Sequence, residues 1–319
     1  MRFRTIQQHS KRFRPITASR RKVLSWAIGS FTASHFLIGS ALATSSSIRP
    51  LDARVIQSGH SLTDTIVPVL KAMVSASGGM DAFGQNIERS TIPGSPMDWR
   101  WNNRNEYMPD ARERIAEYDI LVITERAPLS GTVPWHASDE WALRWFTHAW
   151  ENGRGGEGAE SFLYATWVNI DSGPSFENPY NDPEGHIPFR ERLPLEMARW
   201  EAILAHVNSN RPADAPPMRL IPGPLVMAAA FDAIAEGTAP NLDDISDLFI
   251  DNIHLNETGS YLIALTHFAV IYQRDPKNIP GRIGMRRHPD PNTAAWMRDL
   301  VSEVLRNYGS DSHKAEQVE

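Results

Sequence analysis

Cysteine is absent from all 319 residues, which removes disulfides, thiolate metal sites and a cysteine nucleophile from consideration. Stability must then come from packing, and the roughly 275 residues after Ala43 are enough to bury the core of one large α/β domain. Past that point no run is long and apolar enough to span a bilayer. Basic residues are also scarce there. Eight of the 32 Lys and Arg precede Thr44, so the rest of the chain carries 24 against 38 Asp and Glu, a net charge of −14 with histidines neutral. A body of that sign is repelled by phosphate backbones and anionic lipid, which argues against nucleic acid as a partner. No internal repeat is evident. His186 stands without HExxH or similar ligand spacing, so neither a metal nor a cofactor is expected. The glycine-rich GRGGEG at Gly153–Gly158 has no strand before it and no Lys-Ser/Thr after it; it reads as a connection rather than a phosphate loop.

What is there begins with a basic, acid-free segment. Residues 1–43 carry an apolar run from Val23 that ends in ALA, the pattern of an export signal cleaved after Ala43. Within it, SRRKVLSW has the paired arginines, Arg20 and Arg21, of a twin-arginine signal. An ordinary secretory signal or an uncleaved anchor is the alternative; Ser25, Ser30, Thr32, Ser34 and His35 interrupt the run and argue against a stable span. The domain reading is therefore export signal 1–43, one folded domain 44–309 and a disordered tail 310–319, with a periplasmic or secreted location and no membrane span after cleavage.

Two stretches carry chemistry. In RVIQSGHSLTD, Arg54 to Gln57 read as a buried strand and Leu62 to Ala76 as the helix after it. Ser61 then emerges at a strand's carboxyl end, where open α/β sheets place ligands. A glycine before it allows a sharp turn, and the first helical amides are free to face a developing oxyanion. In isolation such a serine would do no more than cap the helix. The second stretch, LFIDNIHLNETGSY, sets Asp251 and His254 three residues apart, a spacing that lets one turn hold the carboxylate against one imidazole nitrogen while the other faces a serine. Ser61, Asp251 and His254 form a candidate triad in the order serine, aspartate, histidine.

With GHSL at Gly59–Leu62 and DNIHLNETG at Asp251–Gly259, the chain resembles the SGNH (GDSL-like) hydrolase superfamily over roughly residues 54–274. His60 stands where that family usually has aspartate. The resemblance implies a three-layer α/β/α fold with a flavodoxin-like parallel sheet, and a Ser-His-Asp esterase that needs no cofactor. It also implies an oxyanion glycine after the second strand, matched here by Gly94, and an asparagine donor after the third. Glu125 falls near that asparagine position, and a carboxylate cannot donate. Asn102, Asn103 or Arg126 would then supply the donor, with Glu125 neutral or turned toward substrate.

The remaining elements alternate in the manner of a parallel sheet covered on both faces. Strands are expected at 86–92, 118–124, 161–168 and 218–221, and helices at 112–117, 138–152, 193–209, 224–236, 257–272 and 293–308. Trp141, Trp145 and Phe146 form the core stripe of the second of these helices. Trp99 and Trp101, beside Arg100, offer either a surface for stacking a sugar or packing for their loop. The irregular stretch 171–188, with Phe176 and Tyr180, reads as a lid or substrate wall after a strand's carboxyl end. The function expected is exported hydrolysis of a small acyl ester, with O-acetyl groups of a carbohydrate as the candidate substrate. Acyl transfer to a sugar in the periplasm, or carbohydrate binding without catalysis, are the alternatives.

Overall fold

The computed structural model describes residues 48–78 and 86–315, with side chains to residue 309. The export segment lies outside the described residues. β1 (Val55–Gly59) leads through α1 (Ser61–Asp64) and α2 (Ile66–Ala76) to β2 (Ile87–Thr91), and α3 (Met97–Asn102) precedes β3 (Ile120–Ile123). Then α4 (Leu129–His136) and α5 (Ser138–Asn152) precede β4 (Glu160–Ala165), and α6 (Phe189–Asn210) precedes β5 (Arg219–Pro222). The chain finishes with α7 (Gly223–Ala235), α8 (Glu257–Tyr272) and α9 (Pro291–Ala315). The five strands form one parallel sheet in the order β2-β1-β3-β4-β5, with Val55 opposite both Ile87 and Ile120.

Four of the strands, β1, β3, β4 and β5, feed two cores, because successive side chains point to opposite faces. Val55, Ile120, Val122, Phe162 and Tyr164 pack under α2, α7, α8 and α9, while Ile56, Leu121, Ile123, Leu163 and Ala165 pack under α3, α5 and α6. The fold is therefore three-layered, α/β/α. Buried on both faces, β1 and β3 read as unbroken buried runs without alternation. α8 is buried nearly all round and is correspondingly apolar on every side.

Several boundaries differ from the sequence reading, for local reasons. The helix read over 62–76 contains Pro68, which is expected to kink it or mark its true start, and it breaks at Thr65: Pro68 has no N–H to return to the Asp64 carbonyl, and Arg89 Nη1 donates to that carbonyl instead, at 3.3 Å. No helix spans 112–117: the Asp110 carboxylate caps the Arg112 and Glu113 amides, closing a turn that ends in one 3₁₀ turn at Ile115–Glu117. Neither α3 nor α4 is anticipated; each is short, and Pro134 interrupts the pattern of α4. The terminal helix runs on to Ala315, into the stretch expected to be disordered.

Candidate active site

β1 is flanked by β2 on one side and β3 on the other, so the connections after it diverge and leave a crevice beyond its carboxyl end. Ser61 opens α1 at that crevice. The turn closes tightly: a Cβ at Gly59 would lie 2.1 Å from Thr63 Oγ1, so only glycine fits. His60 is the N-cap, and it is buried. Its Nδ1 accepts from the Leu62 amide at 3.4 Å, which leaves Nε2–H to donate to the Glu125 carbonyl at 3.0 Å. Burial, with the nearby Arg100 charge, depresses the His60 pKa to about 3, so the ring is neutral.

The imidazole and carboxylate come from the loop between β5–α7 and α8. Phe249 pairs with Leu255, and the Ile250 amide donates to the His254 carbonyl at 2.8 Å, closing a tight loop over residues 250–254. Asp251 Oδ1 accepts from the Ile253 and His254 amides at 2.9 and 2.7 Å, which leaves Oδ2 to accept from His254 Nδ1 at 2.8 Å. A carboxylate only accepts, so the proton sits on Nδ1 and the Nε2 lone pair faces Ser61 Oγ, 2.9 Å away. Partial burial opposes the Asp251 charge, but the two amides and His254 outweigh it and hold the carboxyl below its ordinary range. Asn256 caps α8 through the Thr258 and Gly259 amides. At Gly259 a Cβ would lie 2.2 Å from the Leu248 carbonyl oxygen, so glycine lets the helix start pack against this loop.

A cleft of about 370 Å³ opens over this array, lined by Ser61, His254, Leu62, Gly94, Arg126 and Asn169 together with His60, Ala127, Pro128, Tyr180 and Ile253. The Ser61 amide, in the first turn of α1, has no helical acceptor, and none is found for it or for the Gly94 amide among the described residues. A larger hollow of about 570 Å³ lies at the amino ends of the strands, but its arginines are paired, Arg49 with Glu160, Arg54 with Asp119 and Arg154 with Asp119 and Glu157, and no nucleophile lines it.

Five expected site residues fall elsewhere. Asn102 does not line the cleft; its amide donates to the Asp98 carbonyl at 2.8 Å, one turn back in α3, and Asn103 does the same with Trp99. Trp101 packs edge-on against Trp145, centroids 5.0 Å apart, and against His148, with the Arg144 guanidinium 4.7 Å above it. That is core packing between α3 and α5. Trp99 is 54% exposed on α3 and outside the cleft. Glu125 is fully buried beneath the site, its Oε1 accepting from the Met97 amide at 3.0 Å and the Arg126 amide at 2.7 Å. Burial raises its pKa, while Arg100 and those amides act against the rise. Glu125 thus joins the loops after β2 and β3 from below, and only the next residue, Arg126, reaches the cleft.

Asn169 is the site residue that the sequence reading passes over. Its signal is position alone: it follows β4 at the carboxyl end of the sheet. The segment around it is fixed to the histidine loop, with Trp167 Nε1 donating to the Ile253 carbonyl at 2.9 Å and the Ile170 amide to the Asn252 carbonyl at 2.8 Å. Tyr180 reaches the cleft from the irregular 171–188 segment. That segment is pinned by Asp182, which meets Arg192 at 2.6 Å with both side chains buried, and which accepts from the Ser130 hydroxyl at 2.6 Å.

No protein-family model matches the sequence, and comparison with curated proteins gives no match. Among solved structures, a DUF4886 family protein from Bacteroides uniformis superposes with a TM-score of 0.55 at 13% identity, over 79% of this chain and 94% of that one. That likeness bears out the α/β/α fold. The protein YXIM from Bacillus subtilis (TM-score 0.41, 15% identity, 69% of this chain and 56% of that one) matches more loosely. So does the lipase Lip_vut3 from a goat rumen metagenome (0.33, 13%, 69% and 98%), and neither superposition is close enough to bear on this chain's chemistry.

Proposed function

We propose that the protein is a serine ester hydrolase of the SGNH type, acting on a small acyl ester. The observation that carries this reading is the continuous hydrogen-bonded line from Ser61 Oγ to His254 Nε2, 2.9 Å, and from His254 Nδ1 to Asp251, 2.8 Å, at the floor of a cleft. In this reading His254 takes the Ser61 proton as Oγ attacks the ester carbonyl, and the imidazolium formed is stabilised by Asp251. The oxyanion is met by the Ser61 and Gly94 amides. His254 then returns the proton to the departing alcohol. Water, deprotonated by the same histidine, attacks the acyl-serine, and collapse releases the acid and restores Ser61.

Glu125 does not line the cleft, and its Oε1 is taken up by the Met97 and Arg126 amides, which favours catalysis over a binding protein without it. Trp99 and Trp101 lie outside the cleft, so a carbohydrate substrate no longer draws support from them. Labelling with a fluorophosphonate probe tests the proposal. Wild type should label and Ser61→Ala should not; a wild-type chain that is folded yet unlabelled would sink it. For location, we propose export through Arg20 and Arg21. Replacing both with Lys should retain precursor in the cytoplasm, and unchanged export would point to the general secretory route.

A further inference from the structure

Arg126 lines the cleft with Ser61 and His254, yet its guanidinium has no hydrogen-bond or ion-pair partner among the described residues. The contrast with other arginines is sharp: Arg100 is tied to main-chain carbonyls and Ser58, and Arg192 pairs with Asp182. The adjacent carboxylate, Glu125, is not its partner. That group is taken up beneath the cleft by the Met97 and Arg126 amides and by the charge of Arg100. Asn169 lines the same cleft, and its side-chain amide has no partner among the described residues either. Around these two polar groups the walls are Leu62, Ala127, Pro128 and Ile253. Apolar walls weaken the competition from water and strengthen a charge-assisted hydrogen bond.

Resting on the esterase reading above, we infer that Arg126 selects substrates carrying a carboxylate, held by its fork of donors with Asn169 beside it, while the acyl chain lies on the apolar wall. A guanidinium matches a carboxylate in two parallel hydrogen bonds, and in a chain of net charge −6 an unpaired cation beside the nucleophile is a local recognition feature. No new bond chemistry is involved. Arg126 is a specificity-determining residue, and the reaction at Ser61 is unaltered.

The test compares two esters of equal length, 4-nitrophenyl hexanoate and the mono-4-nitrophenyl ester of adipic acid, which differ in a terminal methyl against a carboxylate. Wild type should favour the anionic ester in kcat/KM by about tenfold or more. Arg126→Gln should lower kcat/KM for the anionic ester by at least about tenfold more than for the neutral one, and Arg126→Lys should fall between. The preference should also shrink as salt is raised. Equal treatment of the two esters by wild type, or equal loss on both in Arg126→Gln, overturns the inference; the second outcome would make Arg126 a general transition-state donor. Failure of the esterase reading is separable. If neither ester is cleaved, calorimetric binding of adipate to wild type, lost in Arg126→Gln, supports the carboxylate site, and absence of binding to both overturns it.

Discussion

His60 Nε2 donates to the main-chain carbonyl of Glu125 across 3.0 Å, so the residue before the proposed nucleophile is bonded to the loop after β3. Glu125 in turn holds the Met97 amide, which follows the Gly94 loop after β2. Three strand ends are thereby joined under the cleft by one neutral imidazole and one carboxylate. The floor on which Ser61 stands is a buried polar network, and such networks are costly to interrupt.

Asp251→Asn should lower kcat by about 10⁴-fold with the fold intact. The amide oxygen would still accept from the Ile253 and His254 amides. Its NH₂ would then face His254 Nδ1 and force the proton to Nε2, where it blocks acceptance from Ser61. Steady-state kinetics with circular dichroism measures this; near-normal turnover would remove Asp251 from the mechanism.

Glu125→Gln keeps an acceptor for the Met97 and Arg126 amides but leaves Arg100 without its buried counter-charge. The variant should still label at Ser61, with stability reduced by roughly 1–3 kcal/mol in urea denaturation. Glu125→Ala, which strands both amides, should lose more stability and most of the labelling. If Glu125→Gln is folded but fully inactive, the carboxylate itself takes part in the reaction.

Stability should fall on both sides of a middle pH range. Burial depresses His60 to about 3 and His267 to about 4 from an ordinary 6.5, so between those values the unfolded chain binds more protons and stability is lost as pH falls below about 6.5. Burial pushes Glu196 up to about 7 from 4.5, so the folded chain binds more protons there and stability is lost as pH rises from about 4.5 through 7. Melting curves should show His267→Gln with a shallower decline below pH 6. Glu196→Gln should be stabilised relative to wild type more at pH 8 than at pH 5. Parallel profiles for variant and wild type would refute the assignments.

Asp182→Ala removes the ion-pair partner of the buried Arg192, at a cost of about 3–5 kcal/mol. Because Asp182 is the anchor of the irregular segment that brings Tyr180 to the cleft, limited proteolysis should cut first within 171–188. Cleavage that begins elsewhere would show the segment to be held by other contacts.

What the sequence determines by itself is what depends on neighbours along the chain. Gly59 and Ser61 at the end of a buried run, and Asp251 three residues before His254, declare their geometry because one turn holds each set. The alternation of strands and helices likewise reveals a covered parallel sheet, since it reflects burial on both faces. Tertiary structure decides where side chains at the ends of different strands point. Glu125 and Arg126 are adjacent, yet one is drawn under the floor by the amides of another loop and the other is left in the cleft. Trp101 turns into the core because α5 brings Trp145 and His148 to it, and Asn169 reaches the cleft because its neighbours Trp167 and Ile170 are tied to the histidine loop. Packing between distant segments sets those directions, and no local pattern in the chain encodes them.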